Sequence, residues 1–225
     1  VEVVGTEVKL EPGEHVLAAE LGRGFYGLTN RDVWHWERAP WHGRPRVRAL
    51  LRIEYANGRV QTIGTDTSWR VAEGPTRRDD LYGGETYDAR FANPQVWKAA
   101  SELPAPRGSL VAQTEQPIRA VASFAPVAVT EPRPGVYVFA FPRVIAGWAT
   151  FDVDGPAGST IVARYGEKLL PDGTVDARDE HHYFKDGFQT DRLTLAGRPL
   201  RWHPRFSYKG FRYVQVEGWP GGKPS

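Results

Sequence analysis

The sequence predicts an all-β protein made of two β-sandwich modules in tandem. Three observations predict it: short apolar runs with a period of two, Gly and Pro punctuating them at short intervals, and no stretch of about ten residues that keeps a helical period. A chain of 225 residues with 40% hydrophobic content has enough apolar side chain for real cores.

In chain order, residues 2–10 read as a short strand broken by Gly5. Glu11-Pro12-Gly13-Glu14 is a turn, and His15 to Leu21 is strand-like with His15 at its edge. Gly22-Arg23-Gly24-Phe25-Tyr26-Gly27 is a turn whose glycines open backbone conformations closed to other residues; no helix follows, so it is not a dinucleotide fingerprint. Asn30 to Arg46 holds Trp34, Trp36, Trp41, His35 and His42 among Arg, Glu and Pro, too charged and too proline-rich for a core strand. Aromatic faces beside hydrogen-bonding groups are the chemistry of sugar recognition; the same three Trp can also pack under the loop or against a neighbouring domain. Val47 to Tyr55 alternates as a half-buried strand, and Asn57-Gly58 turns it into a hairpin with Val60 to Ile63.

The stretch from Gly64 to Arg90 is the densest in polar, aromatic and glycine residues. It reads as a strand ending at Thr65, Trp69 buried as an anchor, a turn at Gly74-Pro75, and then a loop carrying Asp79, Asp80, Glu85 and Asp88 beside Arg77, Arg78 and Arg90. Such a loop is either an ion-pair network or a polar or calcium-assisted sugar site, since a hard cation needs clustered carboxylates and carbonyls. Ala99 to Pro117 is poor in large apolar residues and contains Pro104, Pro106 and Pro117, so it reads as a linker or an extended crossing. The modules are placed at 1–105 and 118–225, with the linker at 106–117.

In the second half, Val136 to Phe141, Trp148 to Val153, Thr160 to Tyr165, Arg192 to Leu195 and Phe211 to Val216 are strand candidates, with a turn at Asp154 to Gly158. Phe206, Tyr208, Phe211 and Tyr213 read as core and rim aromatics, with Arg205 and Arg212 seeking carboxylates such as Glu167. Asp179-Glu180-His181-His182 has the residue types of a metal or acid–base group but reads more simply as a solvated loop.

Two sets of motifs carry a resemblance. Asp66-Thr67-Ser68-Trp69-Arg70, then Gly74-Pro75, then Asp80-Leu81-Tyr82-Gly83-Gly84-Glu85-Thr86-Tyr87-Asp88-Ala89-Arg90 resembles the N-terminal β-sandwich module of bacterial α-L-rhamnosidases. Gly147-Trp148, Gly155 to Gly158, Tyr165 to Leu169, Asp172-Gly173-Thr174 and the run Pro204 to Tyr213 resemble the concanavalin-like sandwich that follows it in that family. The resemblance spans roughly Pro12 to Gly218. It implies a jelly-roll, galactose-binding-like first module and a concanavalin-like second one. It implies a rhamnose-containing carbohydrate and the catalytic domain of the same parent protein as partners. In the family the carboxylates of the inverting reaction belong to a following (α/α) barrel. No catalytic or metal residue is therefore assigned here, and the chain is expected to be a non-catalytic scaffold that contacts substrate or, alternatively, an autonomous rhamnoside-binding module. The residues assigned to carbohydrate contact are Trp34, Trp36, Trp41, His42, Asp79, Asp80, Tyr82 and Glu85. Where some relatives have Gly-Asx-Gly-Trp-Tyr this chain has Gly22-Arg23-Gly24-Phe25-Tyr26, and a guanidinium cannot ligate a cation. Calcium stays an open cofactor, with none assigned.

A formal net charge of +2 is no field for nucleic acid, and no run reaches the roughly 20 apolar residues of a membrane-spanning helix. Without Cys there are no disulfides or thiolate metal sites, which leaves a bacterial cytoplasmic or secreted location open. The absence of Met, even at position 1, reads as a chain that begins downstream of its native start.

Overall fold

The computed structural model describes residues 2–3, 8–29, 34–104, 109, 111–177, 187–222 and 224. Among the described residues fifteen strands run in chain order: β1 (Glu2–Val3), β2 (Leu50–Glu54), β3 (Val60–Gly64), β4 (Arg70–Val71), β5 (Thr76–Asp80), β6 (Gly84–Asp88), β7 (Lys98–Ala99), β8 (Val111–Ala112), β9 (Ala128–Arg133), β10 (Val136–Gly147), β11 (Phe151–Val153), β12 (Thr160–Gly166), β13 (Thr190–Thr194), β14 (Leu200–Trp202) and β15 (Lys209–Glu217). The only helical turns among the described residues are two short 3-10 turns, Trp36–Arg38 and Ala89–Phe91, so the all-β sandwich class is borne out.

Two compact units emerge, each assembled from separate pieces of chain. The first comprises Val1–Glu20, Val47–Val71 and Trp97–Ala122. Its pairs are β2 with β3, β4 with β7, and a short parallel contact of β1 with β8. The β2–β3 hairpin follows the sequence reading: Leu51 and Ile53 are half-buried while Leu50, Arg52 and Glu54 are exposed, and Gly58 takes φ +80° at the turn. Trp69 is only partly buried, with its indole N–H donated to the Gly64 carbonyl at 3.2 Å. The strand expected over His15 to Leu21 does not form; His15 is exposed and hydrogen-bonds the Glu11 carbonyl. Much of residues 2–10 lies outside the described residues, as does the whole of Asp179-Glu180-His181-His182.

The second unit comprises Leu21–Arg46, Ala72–Val96 and Ser123–Ser225. A seven-stranded sheet in the order β5-β6-β13-β12-β15-β10-β9 faces the two-stranded pair β11-β14. One face of the large sheet supplies Ile161, Ala163, Tyr165, Leu193, Leu195, Val214 and Val216, and the small sheet answers with Phe151, Val153 and Trp202. Period-two alternation makes this a sandwich, because burying one face puts every second residue on the other. β10 runs past the expected end at Phe141, its register slipping between Ala140 and Ile145 around Pro142, a residue that cannot donate to a ladder. β9 and β14 escaped the sequence reading: Ala-Val-Thr-Glu-Pro-Arg and Leu-Arg-Trp are too short or too polar to alternate visibly.

The expected loop with four acids is instead the β5–β6 hairpin, at the edge of the large sheet, with β6 parallel to β13. Thr-Arg-Arg-Asp-Asp and Gly-Glu-Thr-Tyr-Asp carry no apolar alternation because buried positions hold carboxylates: Asp79 and Glu85 find partners distant in sequence, while Asp80 and Asp88 bond within or just beyond the hairpin. Asp88 closes the hairpin by capping the following 3-10 turn through the Arg90 N–H and by a two-point ion pair with the Arg90 guanidinium at 2.9 and 2.7 Å. That bonding holds the Asp88 carboxyl below the usual aspartate value. A depressed folded value gives stability that is complete above the unfolded pKa and lost as the pH falls through the folded one. Asp88→Ala should therefore cost about 1 kcal/mol at neutral pH, as loss of a cap does, and less at about pH 2, as the carboxyl takes up its proton. Urea denaturation at both pH values checks this; an equal cost at both would assign it to packing instead of charge.

Candidate functional site

The hairpin tip and the glycine turn build the candidate site together. Gly24 takes φ +53°, and Gly27 N–H closes the turn on the Arg23 carbonyl at 2.8 Å. The Arg23 N–H donates to Asp79 Oδ2, and its Nε lies 3.9 Å from Asp79 Oδ1. Asp80 Oδ1 accepts from the Tyr82 and Gly83 N–H groups at 2.9 and 2.6 Å, an Asx turn that fixes the Tyr82 ring. Trp34 stacks on Tyr82 with centroids 5.2 Å apart and planes 29° from parallel, and Phe25 meets both Tyr82 and Trp36 edge-on. Trp41 lies against Trp36 at 6.1 Å. Trp34 and Trp41 keep 48% and 45% of their surface in solvent, so the shelf has open faces.

Of the residues assigned from sequence, Trp34, Trp36, Trp41 and Tyr82 thus come together. His42 is tied through Nε2 to the Leu28 carbonyl at 2.6 Å, and Asp79 holds the glycine turn through the Arg23 N–H. Asp80 and Glu85 point into the protein. Glu85 is 1% exposed, and its Oε2 accepts from the Arg205 and Phe206 N–H groups at 2.8 and 3.0 Å. Burial raises the carboxyl of Glu85 and that of Asp79 above their ordinary values, more than these amides and the Arg23 charge lower them. Of the expected network of four acids and three guanidinium groups, the Asp88–Arg90 pair is in direct contact, with Arg77 near enough to lower the Asp88 carboxyl further. Arg77 reaches Glu73, and Asp79 turns to Arg23. Arg205 and Arg212 do not meet Glu167 in the way the sequence suggested: the Arg205 backbone serves Glu85, and the Arg212 guanidinium lies over the Tyr213 ring.

The sequence reading missed Phe25, although the Gly-rich turn contained it, and it missed a buried ion pair behind the hairpin. Lys209 Nζ lies 2.6 and 2.7 Å from the two Asp191 oxygens and 2.8 Å from Ser207 Oγ, and Asp191 Oδ1 also accepts the Glu85 N–H at 2.8 Å. Burial lowers the Lys209 ammonium despite Asp191 and raises the Tyr165 phenol, which lies under Lys209, well above its usual value. The available signal was parity: Asp191 shares its strand face with Leu193 and Leu195, and a charge there must be paired.

A calcium ion would need several oxygens converging on one point. Among the described residues the Asp79 carboxylate meets a guanidinium instead, Asp80 Oδ1 is held by two amides, and no three carboxylate or imidazole groups gather. These donors do not fit the ion.

Comparison with known proteins places this geometry. The model of the α-L-rhamnosidase N-terminal domain matches residues 5–122, and that of the bacterial α-L-rhamnosidase concanavalin-like domain matches residues 130–225. The chain belongs to the α-L-rhamnosidase family. An α-L-rhamnosidase of Streptomyces avermitilis is 36% identical over 230 residues, covering 96% of this chain and 21% of its own. One of Formosa agariphila is 30% identical over 223 residues, 93% of this chain and 23% of its own. The crystal structure of the Streptomyces avermitilis α-L-rhamnosidase complexed with L-rhamnose is similar at TM-score 0.76 and 35% identity, over 89% of this chain and 20% of that one. The α-L-rhamnosidase from Dictyoglumus thermophilum is similar at TM-score 0.75 and 29% identity, over 81% and 21%. This rhamnosidase-family chain thus spans about a fifth of the length of the relatives it matches.

Proposed function

We propose that this chain is a non-catalytic β-sandwich region of an α-L-rhamnosidase, scaffolding a catalytic domain of the same protein and contacting rhamnose-containing substrate through the Trp34–Tyr82 shelf. The observation that carries substrate contact is the stacked pair itself: Trp34, half exposed, lies on the Tyr82 ring, whose backbone is held by the Asp80 turn. L-rhamnose is a deoxy sugar with a methyl group and an apolar ring face, which a flat aromatic surface desolvates at little entropic cost. The homologous enzyme solved with L-rhamnose makes that sugar the natural probe. Asp79 is engaged by Arg23 and Asp80 by its own turn, so the contact proposed here uses no calcium.

Titration of the 225-residue chain with L-rhamnose, followed by tryptophan fluorescence, tests the reading. A saturable change is expected, unaltered by chelator, with affinity about 2- to 10-fold weaker in Trp34→Ala, the scale of one lost stacking contact of about 0.5–1.5 kcal/mol. No change with the sugar would leave the scaffold alone; a change abolished by chelator would sink the calcium-free site.

A further inference from the structure

The face of the large sheet opposite the core is where Arg164 and Arg192 must point, since Ala163, Tyr165 and Leu193 occupy the core side. They meet Arg133, at the exposed end of β9, around a cavity of about 300 Å3 that Thr190, Gln215 and Phe188 also line. Arg78 extends the row: it pairs across to Thr86, which in turn pairs with Arg192, and its Nη2 is buried with no hydrogen-bond partner. Among the described residues one carboxylate forms an ion pair with these guanidinium groups. Glu217 Oε1 lies 2.8 Å from Arg164 and also takes the Gln215 amide at 2.8 Å. Among the described residues no carboxylate lies within ion-pair distance of Arg133 or Arg192, although Asp172 feels the Arg133 charge from further off. Burial, with the like charges of Arg164 and Arg78, pushes the Arg192 guanidinium downward.

Half-buried like charges are costly unless an anion joins them. We propose that this cavity binds the oxyanion of an acidic sugar, a uronate carboxylate or a sulfate ester. The planar forks of Arg133 and Arg192 match either group with two parallel hydrogen bonds. The volume suits a single sugar unit, and Phe188 offers an apolar wall for its ring. The site is separate from the Trp34–Tyr82 shelf, and it needs no neutral rhamnose.

Calorimetric titration of the full chain with D-glucuronate, a sulfated monosaccharide, inorganic sulfate and L-rhamnose tests it. At least one anionic sugar should bind saturably, more weakly as salt rises, undisturbed by L-rhamnose; the tighter of the two names the oxyanion. Arg133→Ala, a change at an exposed position, should weaken that binding about 10-fold with the circular dichroism spectrum unchanged, and Arg192→Gln should abolish it. No saturable heat with either acidic sugar, binding indifferent to both substitutions, or inorganic sulfate binding as tightly as the sugars would each overturn it. Because the shelf is read by fluorescence with a neutral ligand, failure of one site is distinguishable from failure of the other.

Discussion

Lys209→Met should lower the unfolding free energy by about 3–5 kcal/mol, the cost of removing one partner of a buried ion pair. Lys209 and Asp191 are 2% and 1% exposed, so the carboxylate left behind has no water to turn to. Asp191 is also the acceptor for the Glu85 N–H, and Glu85 in turn holds the backbone at Arg205 and Phe206. The loss therefore spreads to the edge hairpin that carries Tyr82. Most of the cost is the stranded charge and not the attraction between the two, so Lys209→Met combined with Asp191→Leu should recover much of it, a non-additive cycle. Guanidinium denaturation of the two single variants and the double variant reads this directly. A cost under about 1 kcal/mol for Lys209→Met would mean that the pair is effectively solvated, and the argument for its structural weight would fall.

Gly84→Ala should be the most damaging substitution at any glycine of the hairpin, by about 3–5 kcal/mol when backbone strain and overpacking combine. Gly84 opens β6 at φ +91°, and a Cβ there would sit 2.5 Å from the Thr190 carbonyl oxygen and 2.8 Å from Asp191 Oδ1. Neither the β13 backbone nor the buried carboxylate can move aside. Gly58 separates the two causes: it has φ +80° but nothing within 4 Å of the added atom. Gly58→Ala should therefore show the strain alone, about 1 kcal/mol. Thermal melts of both variants give the comparison, and equal losses would remove the close approach of β6 to β13 as the reason for glycine at position 84. If Gly84→Ala folds, its L-rhamnose titration should also weaken, because the Tyr82 side of the shelf hangs on this hairpin.

Legibility differed by kind of contact. The β2–β3 hairpin, β12 and β15 were readable because their signals are local: alternation on one strand, or Asn57-Gly58 at one turn. The aromatic members of the candidate site were readable too, since Trp34, Trp36 and Trp41 crowd a segment that no core strand could use. The partners of the acids were not readable. Proximity in sequence suggested that Asp79, Asp80 and Glu85 would answer Arg77 and Arg78. Two of the acids instead bond residues 56 and 120 positions away, and Asp80 bonds its own turn.

By itself the sequence determined the β class, the rhamnosidase family and the cluster of rings, because repeated turn residues, long motifs and composition do not depend on what lies across the sheet. Only the tertiary structure decided that the Thr76 to Asp88 segment is the edge of the large sheet, and that Asp191 and Lys209 share one buried bond. It also decided that Arg133, Arg164 and Arg192 open on one cavity. Strand pairing does that work: a parallel contact between β6 and β13 joins residues about a hundred positions apart, and no local pattern records which strand will lie alongside which.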